Sequence, residues 1–171
     1  METEKRREVL ITRLRDAAAP VTGTDLAQQF GVSRQVIVQD IAILRAAGEQ
    51  VLATPQGYMI PRGLYRRSET AVVACRHTRE QIEDEIGIVV DLGGKVLDVI
   101  VEHPVYGEMR GNLMIASRRD LTQFLGQLGQ TEARPLSALT DGVHLHTIEA
   151  PDRRVIEEII AALGQAGYLV D

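Results

Sequence analysis

The sequence predicts an α+β protein in two parts. A small helical unit with a β-hairpin comes first, followed by a sandwich with helices on one face of a mostly antiparallel sheet. Three observations carry this. Apolar residues recur at helical spacing through residues 5–47. From Thr70 onward, strand-like and helix-like segments alternate irregularly, with two strand candidates side by side, an order that favours an antiparallel sheet. Charge is divided unevenly: residues 1–62 carry a net +1 and the remainder −6, within a total of −5.

The totals bound the function. A chain of 171 residues suits one domain or two small ones, and 44% hydrophobic content is ordinary for a globular protein. No apolar run is long enough to span a bilayer. The charged stretch Met1 to Arg7 leads into an amphipathic helix, so no signal peptide is expected. A single cysteine, Cys75, excludes an internal disulfide framework and favours a cytoplasmic protein. An acidic second half would repel a phosphate backbone, so any DNA contact belongs to the first half, strengthened by two copies on a palindromic site.

The elements follow in order. Lys5 to Ala18 is a helix with Val9, Leu10, Leu14, Ala17 and Ala18 on one side, ended by Pro20. Thr24 caps a short second helix that buries Leu26, Ala27 and Phe30. Gly31 turns the chain, Val32 closes on the core, and Ser33 caps a third helix. That helix turns Val36, Ile37, Ile41 and Leu44 inward and stops at Gly48. Helix, short helix, glycine turn and capped helix make a helix-turn-helix, whose last helix enters the major groove. Two strands around Pro55-Gln56-Gly57 form a wing. Arg34, Gln35 and Gln39 lie on the outward face of the third helix and can read guanine and adenine edges, or can be solvated surface. Thr24 and Ser33 complete the expected DNA-binding set.

Pro61 to Ser68 reads as a linker. Thr70 to Arg76 is strand-like, and Thr78-Arg79-Glu80-Gln81 is a capping box that opens a helix through Ile82 and Ile86. Gly93-Gly94 is a turn. Val96 to Val101 alternates, placing Val96, Asp98 and Ile100 opposite Leu97, Val99 and Val101. Gly107 to Ala116 is the strand paired to it. Ser117-Arg118-Arg119-Asp120 is a second capping box, opening a helix with Leu121, Phe124, Leu125 and Leu128 inward. Leu136 to Gly142 is a loop, Val143 to Ile148 a central strand, and Pro151-Asp152 starts the last helix before a short tail, Tyr168-Leu169-Val170. The layout is an α/β sandwich, HPr-like in its order of elements.

Within Gly142-Val143-His144-Leu145-His146-Thr147-Ile148, His144 and His146 share one face of a strand. Two neutral imidazoles on one face form half of a divalent transition-metal site, although spacing of this kind also occurs in ordinary hydrogen-bonded histidines. His77, at a strand end beside a helix start, is a plausible third. Cys75 shares its strand face and is either a ligand or a small buried hydrophobe.

Four segments carry a family resemblance: Ser33–Ile41, the turn His103-Pro104-Val105-Tyr106-Gly107, Ser117–Asp120, and Pro135–Thr147. They resemble the three-histidine (3H) domain joined to a winged helix-turn-helix, as in the niacin-responsive repressors of NAD biosynthesis and niacin uptake. The resemblance implies residues 1–62 as the DNA-binding domain, 63–69 as linker, and 70–171 as the 3H effector and metal domain. It implies His77, Glu85, His144 and His146 as ligands of one divalent transition metal per chain (Ni, Zn, Fe or Co). Glu85 falls about 11 Å along the helix from its start, so on spacing alone it reaches His77 only if the strand end folds back. The resemblance further implies a homodimer on double-stranded DNA, with nicotinic acid or nicotinamide as co-repressor. His103, Tyr106 and Arg118 are candidates for the effector pocket, Arg118 because a helix N-terminus favours an anion. They can equally shape a turn or sit on the surface.

The residues hold no Ser-His-Asp or Cys-His set with a supporting motif and no phosphate-binding glycine loop, so no enzyme is expected. The alternatives are a metal-responsive regulator, a metal-dependent enzyme fused to a DNA-binding domain, or a structural metal in a dimerisation module.

Overall fold

In the computed structural model, residues 3–61 and 68–170 are described. The chain divides into two compact units, 1–63 and 64–171. The linker expected from Pro61 to Ser68 falls largely outside the described residues.

The first unit holds α1 (Thr3–Asp16), α2 (Gly23–Phe30), α3 (Arg34–Ala46) and an antiparallel pair, β1 (Leu52–Thr54) and β2 (Gly57–Met59). Leu10, Leu14, Leu26, Ile37 and Ile41 form its core. α2 begins two residues earlier than the sequence suggested. Thr22, not Thr24, takes the extended cap conformation and accepts the Asp25 N–H at 3.0 Å, while Thr24 lies exposed within the first turn. Gly31 ends α2 in the left-handed region (φ 64°), and Ser33 caps α3 by accepting the Val36 N–H. Asp40 and Arg6 are buried inside this unit, with Arg6 Nε 2.6 Å from the Asp40 carboxylate, so α1 is tied to α3 by an ion pair as well as by apolar contact. Pattern reading misses this pair because Asp40 occupies a core position with a charged residue.

The wing is stitched to the α1–α2 connection. Val21 and Tyr58 exchange both backbone hydrogen bonds, at 2.9 and 2.8 Å. Gly57 makes the approach possible: its φ is +130°, and a Cβ there would lie 2.5 Å from the Val21 carbonyl oxygen.

The second unit is a four-stranded antiparallel sheet in the order β3-β6-β4-β5. Its strands are β3 (Glu69–Arg76), β4 (Lys95–His103), β5 (Gly107–Ile115) and β6 (Val143–Ala150). Helices α4 (Ile82–Asp91), α5 (Arg118–Gln130) and α6 (Arg153–Gln165) cover one face. Ile86, Leu121, Ile159 and Leu163 from the helices meet Val73, Val96, Ile115 and Ile148 from the sheet. The opposite face carries exposed Val72 and Val143. The tail runs along β3: Arg76 N–H donates to Tyr168 O and Val170 N–H to Ala74 O, so the short last strand is a bridge on that edge.

The first capping box forms, and the second forms only in part, since its return bond goes to the residue before the cap. The Thr78 N–H donates to Gln81 Oε1 at 2.9 Å, although Arg79–Gln81 is a 3₁₀ turn and the α-helix begins at Ile82. The Asp120 N–H donates to Ser117 Oγ, and the Asp120 carboxylate reaches back to the Ala116 N–H.

β4 does not alternate as its sequence suggested. Val96 pairs with Ile148, but Ile100 pairs with Leu145, so β4 spends one residue more than β6 over this stretch. The extra residue flips the parity. Val96 and Val99 both turn to the helix-covered core, while Ile100 sits opposite the outward Leu145. A second irregularity lies opposite, where β5 spends an extra residue at Met114, held at φ 52°.

Replacing Gly57 by alanine should lower the stability of the first unit by about 1–3 kcal/mol, from the strained φ and the lost wing contact. Urea denaturation of the full chain checks this. An unchanged first transition would mean that the wing is not held through Gly57.

Candidate functional site

Glu85 is the centre of the second unit. It is buried to 1% exposure in the first turn of α4. Three imidazoles face its carboxylate. His77 Nε2 lies 2.7 Å from Oε2, His146 Nε2 3.4 Å from Oε2, and His144 Nε2 3.4 Å from Oε1. The strand end does fold back: His77 follows β3, and the 3₁₀ turn returns the chain so that Glu85 hangs beside it. His144 and His146 project from the core face of β6, with ring centroids 4.6 Å apart.

The other ring nitrogen of each histidine meets a backbone carbonyl. His77 Nδ1 is 2.7 Å from Thr78 O, His144 Nδ1 is 2.8 Å from Gly142 O, and His146 Nδ1 is 2.5 Å from Asp98 O. A carbonyl only accepts, so each Nδ1 carries a proton, and whenever a ring is neutral its Nε2 is left with a lone pair. With the rings neutral, three lone pairs then face one carboxylate. Such a set repels itself unless protons or a cation intervene, and it matches a divalent metal with nitrogen and oxygen ligands. The four residues therefore fit the metal that the fold family implies.

Local structure serves this arrangement. Gly142 (φ 88°) lies against His77, and a Cβ there would come 2.4 Å from the His77 carbonyl oxygen. The extra residue in β4 leaves the Asp98 carbonyl for His146, while Asp98 Oδ1 accepts the Thr147 N–H at 2.9 Å. Tyr168 sets its ring edge-on to His77 and donates its hydroxyl to Asp84.

The electrostatics follow. Burial by itself would raise the Glu85 carboxyl, but hydrogen bonds from His144, His146 and His77 outweigh it and hold the group far below the usual range. Burial likewise favours neutral His77 and His146, yet Glu85 raises both. Cys75 is fully buried, with Sγ within 4.8 Å of Glu85 and His144 ligand atoms. Burial, then the Glu85 charge, pushes its thiol well up, so in the metal-free chain it is a neutral packed thiol.

Beside the cluster lies a cavity of about 200 Å³. Its walls include Val99, Leu113, Phe124, Leu128 and Leu136, and its inner end is His77, Glu85, His144 and His146. The residues put forward for an effector are elsewhere. His103 Nδ1 accepts the N–H groups of Val105 and Tyr106 at 3.1 and 3.2 Å, so it shapes the β4–β5 turn, and Tyr106 is exposed. Arg118 lies across Gly87 and bonds Asp91 at 2.8 and 2.5 Å. None of the three lines the cavity. Turn geometry claims His103 and the Asp91 carboxylate claims Arg118, which motif reading does not weigh. Arg134 and Ser137, which do line it, went unnoticed because a loop has no periodicity to mark them.

In the first unit, Ser33, Arg34, Gln35 and Gln39 are exposed at the start of α3, and Arg34 passes beside Gly23 and Tyr58 of the wing. The side chains of Arg34, Gln35 and Gln39 make no hydrogen bond or ion pair with another described residue.

A helix-turn-helix with a wing, and a separate unit built around a buried His–Glu cluster, together have the layout of a DNA-binding regulator. The comparisons agree: a helix-turn-helix (HTH) domain matches residues 6–59 and the 3H domain matches residues 70–171. The chain is 42% identical over 168 residues to a protein named as probable transcription repressor NiaR from Thermotoga maritima, covering 98% of this chain and 95% of that one. It is 41% identical over 167 residues to the transcription repressor NadR of Bacillus subtilis, covering 96% and 93%. The chain belongs to this family of transcription repressors that join an HTH domain to a 3H domain. No helix among the described residues is long and apolar enough to cross a membrane.

Two expectations follow. His146→Ala should abolish metal binding, and Gly142→Ala should weaken it by about 10–100-fold through displaced His77 and His144. Competition with a chromophoric chelator measures both, and full-strength binding by His146→Ala would remove that residue from the site. The second concerns pH. Stability contributed by the raised His77 and His146 is fully present below the ordinary value of 6.5 and lost as pH rises through their higher folded values. The depressed Glu85 contributes stability above its ordinary 4.5, lost only in strong acid. With chelator, the melting temperature should therefore fall as pH rises above about 6.5. Metal, standing in for the protons, should abolish the fall. A flat profile in chelator would exclude the coupling to Glu85.

Proposed function

We propose that this chain represses NAD-biosynthesis and niacin-uptake genes, with nicotinic acid or nicotinamide as co-repressor bound beside one divalent transition metal. The observation that carries the reading is the shared wall: the apolar cavity ends on the four candidate ligands. Its size, about 200 Å³, is below the range of drug-sized pockets and suits a single aromatic ring. The relatives are named as repressors, which favours a regulator over an enzyme.

In this reading residues 1–62 bind DNA, 63–69 connect, and 70–171 sense. His77, Glu85, His144 and His146 hold a Ni, Zn, Fe or Co ion. Bound there, the metal supplies a Lewis-acidic docking point for a ring nitrogen or carboxylate. Val99, Leu113, Phe124 and Leu128 exclude water around the ring. Arg34, Gln35 and Gln39 read base edges, and Ser33 with Thr24 meets the backbone. A homodimer would set two α3 helices on half-sites about one DNA turn apart. Effector and operator must then tighten each other by the same factor.

The test is DNA binding by fluorescence anisotropy, on a duplex from upstream of the chain's own operon, with metal present and nicotinic acid titrated in. Operator affinity should rise several-fold. Equal affinity with and without the acid would overturn the co-repressor role, and a response to metal alone would make the chain a metal sensor.

A further inference from the structure

We infer that Arg134 is the anion-recognising residue of the cavity and makes it prefer an aromatic carboxylic acid to the corresponding amide. The inference rests on the effector reading above and names the residue that sets its specificity.

Among the described residues, Arg134 is the one Lys or Arg side chain lining the cavity. It stands between the end of α5 and the 3₁₀ turn Leu136–Thr140, and Pro135 follows it, which restricts its backbone to extended conformations. Three other arginines of this unit are already engaged, and Arg76 and Arg119, whose side chains no described residue engages, do not line the cavity. Arg118 is held by Asp91, Arg110 by Asp98 and Glu108, and Arg79 by the Leu128 carbonyl. Arg134 makes no hydrogen bond or ion pair with any described residue. A cation left unpaired at the edge of an apolar slot has one evident use, to meet an anion that enters the slot.

The charge count points the same way. Three neutral imidazoles and one carboxylate around a divalent ion leave a net single positive charge, and Arg134 adds another at the cavity's exposed side. The walls between are apolar: Val99, Leu113, Phe124, Leu128 and Leu136. A flat ring bearing one carboxylate satisfies both the walls and the charge. An amide on the same ring satisfies the walls alone, and leaves the guanidinium to water. Guanidinium and carboxylate can pair through two parallel hydrogen bonds, which an amide cannot match. Because Arg134 is exposed, the effect sits at the low end for charged hydrogen bonds, about tenfold in affinity.

The experiment is isothermal titration calorimetry on the metal-loaded full chain with nicotinate and, separately, nicotinamide. Wild type, Arg134→Ala and Arg134→Lys are compared, with metal content measured on each. Wild type should favour nicotinate. Arg134→Ala should lose about tenfold for nicotinate and little for nicotinamide, so the preference collapses while metal content stays unchanged. Arg134→Lys should keep part of the preference. Undiminished nicotinate binding by Arg134→Ala, or an equal loss for both compounds, overturns the role of Arg134 and leaves the effector reading standing. If wild type binds neither compound, the effector reading fails and Arg134's role fails with it.

Discussion

One buried carboxylate organises the second unit. A charge as enclosed as Glu85 costs several kcal/mol unless partners surround it. Its partners are three imidazoles, each fixed by a backbone carbonyl behind it. This constrains the topology. His144 and His146 must hang from the middle of the sheet, so β6 lies between β3 and β4. Pairing of Cys75 with His144 brings the end of β3, and hence His77, to the same spot. α4 must start close by, because Glu85 reaches the cluster only from its first turn.

The irregularities of the sheet have the same origin. An unbroken ladder would consume the Asp98 carbonyl in pairing with β6. The extra residue in β4 releases it for His146 and brings Val99 round to line the cavity. Gly142 opens the opposite end by letting its loop touch the His77 backbone while its own carbonyl holds His144. Two local carbonyls, of Thr78 and Gly142, and one distant carbonyl, of Asp98, thus fix a proton on Nδ1 of each ring, which free histidines would not adopt in unison.

Much of this was legible in the sequence, for definite reasons. Helices announced themselves by apolar spacing and by Ser33, Ser117 and Asp152 at their starts, all three of which cap as local chemistry requires. The two histidines on one strand face needed only the period of a strand. Thr22 lost to Thr24 in the reading because both are good caps, and tertiary pairing of Val21 with Tyr58 fixes the start of α2. The bulges were illegible: Met114 at positive φ carries no glycine to betray it. The reach of His77 to Glu85 depended on a 3₁₀ turn that delays the α-helix to Ile82 and leaves Glu85 in its first turn, and no spacing rule reveals that. Arg118 fitted a helix-terminus argument, but Asp91, distant in sequence, captures it.

The segment from Arg134 to Gly142 joins the cavity to the ligand cluster. Arg134 stands at one end, Leu136 packs over Gly111 where any Cβ would crowd it, and Gly142 holds His144 at the other. Thr140 bonds both the Ser137 and Val143 carbonyls, which keeps the segment in one shape. A ligand in the cavity would press on the same backbone that orients His144. Under the proposed function, occupancy of the cavity and geometry of the cluster would therefore share a free energy. A ligand that favours one arrangement of this segment must tighten, or loosen, whatever the three histidines and Glu85 hold, and the reverse holds to the same degree.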